Sequence, residues 1–121
     1  MYNLGYLGPR GTYSSRASEL YSKDGNKIPF NTINEVLNSL ISSESDQVIV
    51  PLENSIHGSI VEVLDFLASK NNFQILAELN LEINHSIYTL NNINIDEISI
   101  VYSHPQALAQ CYDYLNNHFK N

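Results

Sequence analysis

The chain has 121 residues, 43% hydrophobic and 16% charged, which is enough for one ordinary domain with its own core and too apolar for disorder. Its net charge of −7, with two arginines and four lysines spread along the sequence, excludes non-specific nucleic-acid binding, which needs clustered cations against phosphates. No stretch is long and apolar enough to span a bilayer, no signal-peptide pattern opens the chain, and the single Cys111 excludes an internal disulfide framework; the expected compartment is the cytoplasm.

Short apolar runs alternate with helical segments, the order expected of an α/β domain with a largely parallel sheet. A first strand is predicted over 2–8, with Leu4 and Tyr6 on one face, running into the turn Gly8-Pro9-Arg10-Gly11. A helix follows over 14–22 with Ala17, Leu20 and Tyr21 inward, then a short strand over 28–30. Thr32-Ile33-Asn34-Glu35 reads as a capping box, opening a helix whose apolar face is Val36, Leu37, Leu40 and Ile41. A buried strand over 47–50 stops at Pro51. Ser59-Ile60-Val61-Glu62 reads as a second capping box, with Ile60, Val61, Leu64 and Leu67 facing inward from a helix that ends near Ser69. The period-two run Ile75, Ala77, Leu79, Leu81, Ile83, His85, Ile87 predicts a long strand, or two with a bend. A loop over 91–96, a strand over 98–102 and a helix from 105 to about 119 complete the pattern. Leu108, Cys111, Tyr112, Leu115 and Phe119 line the buried face of that helix.

Three times a strand is followed by a short polar loop and a helix start: at Gly8 to Ser14, at Pro51 to Ser59, and at Ser103-His104-Pro105-Gln106. Ligands of open α/β sheets bind outside the carboxyl ends of the strands, and a helix N-terminus offers N–H donors and a positive dipole end to a carboxylate. Each loop also has a plain structural explanation. Gly-Pro-x-Gly is a common turn, Glu-Asn-Ser can simply cap a helix, and Ser-His-Pro is ordinary helix-start grammar. Taken separately, no loop compels a function. His104 has no neighbouring Asp to orient a catalytic imidazole, so a hydrogen-bonded structural role is the simpler expectation. His57, His85, His118 and Cys111 show no metal-ligand spacing, and Cys111 falls on an apolar helix face as an inert thiol. Glu53 is the one acid in an otherwise small and apolar loop.

Taken in order, the loops resemble prephenate dehydratase. Gly5-Tyr6-Leu7-Gly8-Pro9-Arg10-Gly11-Thr12-Tyr13-Ser14 is similar to the family's Gly-x-x-Gly-Pro-x-Gly-Thr-Phe-Ser opening. Val50-Pro51-Leu52-Glu53-Asn54-Ser55-Ile56-His57-Gly58 is similar to Val-Pro-Ile-Glu-Asn-Ser-x-x-Gly, and Ser103-His104-Pro105-Gln106-Ala107-Leu108-Ala109-Gln110-Cys111 is close to a family signature. Ala77-Glu78 and Ile83-Asn84-His85 fall where the family has a similar strand.

The resemblance implies a periplasmic-binding-protein-like (type II) two-lobed fold, with the first lobe over 1–80 and an incomplete second lobe over 81–121. It implies conversion of prephenate to phenylpyruvate with loss of water and carbon dioxide, on the route to phenylalanine, without a cofactor or metal. By the same resemblance, backbone N–H groups at Gly11, Thr12 and Tyr13 and the side chains of Glu53, Asn54, Ser55, Ser103, Gln106 and Gln110 form the substrate-binding set. The family's catalytic threonine sits in a Thr-Arg-Phe motif that does not occur here, and no regulatory ACT domain follows, so the chain is expected to be a fragment with little activity of its own. Arogenate dehydratase and a non-catalytic carboxylate-binding module stay open as alternatives. An incomplete lobe should expose apolar surface and a free sheet edge, so a homodimer is expected, with exchange of the 98–121 segment as one route.

Overall fold

In the computed structural model, which describes residues 1–54, 58–70 and 72–119, strand β1 (Asn3–Leu7) is the centre of a three-stranded parallel sheet. Its neighbours are β2 (Asn26–Phe30) and β3 (Gln47–Ile49), in the order β2-β1-β3. The register sets Gly5 beside Ile28 on one side and Val48 on the other. Pro29 is accommodated because β2 is an edge strand, where a missing N–H costs no ladder bond. The chain divides into two units, Met1–Glu82 and Ile83–Asn121, and the sheet belongs to the first.

Helix α1 (Tyr13–Tyr21) joins β1 to β2, and α2 (Ile33–Ile41) joins β2 to β3. Leu4, Tyr6, Ala17, Val36 and Leu37 are buried and form the core of this unit, together with Val63 of α3 (Val61–Ser69). The inward stripe of α1 is Ser14, Ala17, Ser18 and Tyr21, spaced i, i+3, i+4, i+7; Leu20, expected inside, is 60% exposed. In α2, Ile41 likewise points to solvent, and the third buried position is Ser39. The two serines enter the core cheaply because each hydroxyl donates to its own helix backbone, Ser18 to Ser15 O at 2.7 Å and Ser39 to Val36 O at 2.6 Å. Their small side chains leave a flat surface for packing.

The cap expected at Thr32 forms. Its hydroxyl accepts from Glu35 N–H at 3.1 Å, while the Glu35 carboxylate accepts from Asn31 N–H at 2.9 Å, one residue before the usual capping-box partner. Thr32→Ala is expected to lower the unfolding free energy by about 1 kcal/mol in urea denaturation followed by circular dichroism. The second expected box does not form. Ser59 pairs within a two-strand hairpin, β4 (Glu53–Asn54) with β5 (Gly58–Ser59), and Ile60 takes the cap position of α3 without a side-chain bond. As a result Val63 is the buried position, with Phe66 and Leu67 half-buried, while Val61 and Leu64 are exposed. The helix is apolar on two sides, so its period alone left the face open. Strands β2 and β3 differ from expectation only at their ends: β2 starts two residues earlier and β3 stops at Ile49, half-buried.

Beyond α3 the described chain forms no strand. The alternating run over 75–87 and the segment 98–102 lack ladder partners among the described residues, and Ile75, Leu79, Ile83, Ile100 and Tyr102 are exposed. Alternation specifies a face, but a strand also needs a neighbour to take its N–H and C=O groups. A short turn of 3₁₀-helix (Ile95–Glu97) opens with Asn94 N–H donating to the Glu97 carboxylate at 2.8 Å. The last predicted helix is two: α4 (Pro105–Gln110) and α5 (Tyr112–His118), broken at Cys111, where φ is −100° and ψ 10°. None of its expected inward residues is fully buried, and Tyr112 is 63% exposed.

Candidate functional site

Strands β1 and β3 are parallel and adjacent, so their carboxyl ends, at Leu7 and Ile49, lie at one edge of the sheet. The loop over 8–12 leaves that edge into α1, and the segment over 50–54 leaves it into β4. The Gly11-Thr12-Tyr13 loop and the segment leading to Glu53-Asn54 therefore both start from that edge, the usual ligand side of such a sheet.

The first loop is held from within. Gly11 has φ of +90°, a left-handed conformation that a side chain would oppose. The Thr12 hydroxyl donates towards Pro9 O at 2.9 Å and Leu7 O at 3.2 Å, and accepts from Ser15 N–H at 3.2 Å. It is thus the N-cap of α1, so Thr12 can offer a ligand its backbone N–H rather than its side chain. The dipole of α1 adds a partial positive charge there, beside Arg10 in the same loop.

Asn54 is half-buried and pairs with Gly58 across the hairpin; Glu53 is exposed. Ile60 N–H donates to Leu52 O at 2.8 Å and closes the base of the hairpin. Ser55 lies outside the described residues. A groove of about 540 Å³ between α2 and α3, lined by Asn34, Leu37, Phe66 and the acids Glu62 and Asp65, contains none of the expected site residues. Its two carboxylates disfavour an anionic ligand.

The remaining expected residues, Ser103, Gln106 and Gln110, belong to the second unit. His104 caps α4, its Nδ1 accepting from Gln106 N–H at 3.1 Å, which leaves Ser103 one residue outside the helix. Gln106 and Gln110 share one face of α4, the first exposed and the second half-buried. His85 Nε2 lies 2.6 Å from Gln110 Oε1. Sequence reasoning gave His85 no role, because nothing in a 25-residue separation announces the contact. Among the described residues no group of three His, Cys, Asp or Glu could hold a metal ion, and no helix is long and apolar enough to cross a membrane.

A family model for prephenate dehydratase matches residues 4–121. The chain belongs to the prephenate dehydratase family. It is 40% identical over 117 residues to a bifunctional chorismate mutase/prephenate dehydratase of Buchnera aphidicola from Acyrthosiphon pisum, covering 93% of this chain and 30% of that protein. It is 33% identical over 119 residues to the prephenate dehydratase of Bacillus subtilis, covering 96% of this chain and 42% of that protein. The crystal structure of prephenate dehydratase from Staphylococcus aureus Mu50 superposes with a TM-score of 0.81 at 34% identity, over 96% of this chain and 44% of that one. The chain thus spans between about a third and somewhat under half the length of these family members.

Proposed function

We propose that this chain supplies part of the substrate site of a prephenate dehydratase, acting in phenylalanine biosynthesis. The observation that carries it is the shared sheet edge of β1 and β3, from which two of the family-matched segments set out, Gly11-Thr12-Tyr13 and the stretch leading to Glu53-Asn54. Prephenate carries two carboxylates and a ring hydroxyl. The α1 N-terminus suits a carboxylate, and the Asn54 carboxamide offers both a donor and an acceptor. By the family resemblance Ser55, Ser103, Gln106 and Gln110 belong to the same substrate-binding set, and the catalytic domain is of the two-lobed, periplasmic-binding-like (type II) kind. Two chain units and the likeness to the staphylococcal structure support that architecture.

In the reaction the ring hydroxyl leaves as the ring carboxylate departs as carbon dioxide, and aromatisation drives both losses. Expulsion of hydroxide needs a hydrogen-bond or proton donor at the departing oxygen. No Thr-Arg-Phe tripeptide is present, so the residues of this chain bind and orient, and the chain alone turns over slowly or not at all.

The test is to incubate the purified chain with prephenate and, separately, arogenate, following phenylpyruvate and phenylalanine, before and after restoring the family's remaining length behind residue 121. Prephenate turnover that appears on restoration is the expected result. Preference for arogenate would move the assignment to the amino analogue. Tight binding without turnover in the restored protein would make it a carboxylate-binding module.

A further inference from the structure

We propose that His85 is a positioning residue, orienting the Gln110 carboxamide so that its NH₂ faces the substrate; this rests on the prephenate reading above. A glutamine amide has two nearly isosteric ends of opposite character, a carbonyl that only accepts and an NH₂ that only donates. Its terminal torsion is broad and roughly two-fold, so an untethered glutamine divides itself between the two presentations. A ligand with two carboxylates needs only one of them, the NH₂.

His85 removes the ambiguity. Its Nε2 stands 2.6 Å from Gln110 Oε1, and in the ring protonated at Nε2 that nitrogen donates to the amide oxygen. The oxygen of Gln110 is then committed to the imidazole, and the NH₂ is turned to the other side of the amide. The neutral ring protonated at Nε2 and the imidazolium both donate there, so the orientation does not require a charged histidine.

Position supports this role. Gln110 is the last residue of α4, and the helix breaks immediately after it at Cys111. His85 lies in a segment with no strand ladder among the described residues. Both residues fall within the unit Ile83–Asn121, so the contact is internal to that unit. The side chain of Gln106, one turn earlier on the same face, would be served by the same alignment if both amides meet the ligand.

The test has two readouts, the first on the isotopically labelled chain. The first is NMR of the Gln110 side-chain amide pair and the His85 ring nitrogens without ligand. His85→Phe, which keeps a ring but removes the donor, should shift and average the Gln110 NH₂ signals. His85→Gln, whose amide nitrogen reaches near the imidazole Nε2 position, should restore them. Unchanged Gln110 signals in His85→Phe overturn the orientation. The second readout is the prephenate dissociation constant by calorimetry, on the protein restored to the family's remaining length. His85→Phe should weaken binding about three- to tenfold, the range expected for one lost hydrogen bond, and His85→Gln should recover most of it. In a Gln110→Ala background the same His85→Phe change should have no further effect. Equal weakening in both backgrounds would show that His85 acts by some other route and overturn the proposal. A restored wild-type protein that binds no prephenate overturns the prephenate reading instead, and the ligand-free NMR still decides the orientation.

Discussion

Gly5→Ala is expected to lower the unfolding free energy by about 2 kcal/mol, although alanine is the better strand residue. Glycine inside a strand is disfavoured relative to alanine by roughly 0.5–1 kcal/mol through backbone entropy, so propensity alone predicts a gain. Packing decides otherwise. Gly5 is buried in the central strand, and an added Cβ would lie 2.6 Å from Ser45 Oγ, 3.0 Å from Phe30 Cε2 and 3.2 Å from Val48 Cγ1. Overpacking of this kind typically costs about 1–3 kcal/mol. The shortest of the contacts is to a hydroxyl that is itself poorly placed, since Ser45 Oγ is buried and has no hydrogen-bond partner among the described residues. Ser45→Ala should therefore be neutral or stabilising, and Gly5→Ala should cost about 1 kcal/mol less in that background. The four proteins of the cycle can be compared by urea denaturation followed at 222 nm. Strict additivity would mean that Ser45 is not what the new methyl meets.

That contact shows where sequence patterns lose their reach. The βα order of the first unit was legible because Leu4 and Tyr6 alternate, Thr32 and Glu35 cap a helix, and Pro51 and Gly8-Pro9 punctuate the strands. Which helix face is buried was only half legible. Leu20, Ile41, Val61 and Leu64 are apolar yet exposed, while Ser18 and Ser39 are inside. Hydrophobicity favoured the leucines and isoleucine, but close approach to the sheet favoured small side chains that bond their own helix. Ser45 and Gly5 are 40 residues apart in sequence, and no local pattern links them.

Beyond α3 the gap is wider, for a different reason. The alternation over 75–87 is real, but most of its apolar side chains are exposed and no described strand pairs with it. Period two records which residues share a face; the partner that would cover the face is not encoded in the run itself. The same holds for the candidate site. The motif residues Gly11, Asn54 and Gln110 could be read from the family motifs, while the hydroxyl of Thr12 turned out to be committed to its own cap, and the link from His85 to Gln110 appears only in three dimensions.

In a protein restored to the family's full length, Asn54→Ala should reduce prephenate turnover about 100-fold, while His118→Ala stays within about twofold. The difference follows from what each side chain can do. Asn54 is half-buried in the β4–β5 hairpin, and on the proposed reading its carboxamide donates to an oxygen that gains charge as the ring hydroxyl leaves. A donor held in place acts most strongly on that developing charge, and removing one commonly costs about 3 kcal/mol of barrier, on the order of 100-fold in rate. Among the described residues His118 contacts its own helix, stacking on Tyr114 with ring centroids 4.1 Å apart, and its Nδ1 lies 2.9 Å from Tyr114 O. Thermal melting of both variants separates a lost donor from a weakened hairpin, since a folding defect would lower the melting temperature as well as the rate. Asn54→Asp sharpens the comparison, because a carboxylate facing the two carboxylates of prephenate should raise KM, whereas Asn54→Ala should act mainly on kcat. Equal and small effects of Asn54→Ala and His118→Ala would remove Asn54 from the site, and the case for the shared edge of β1 and β3 would fall with it.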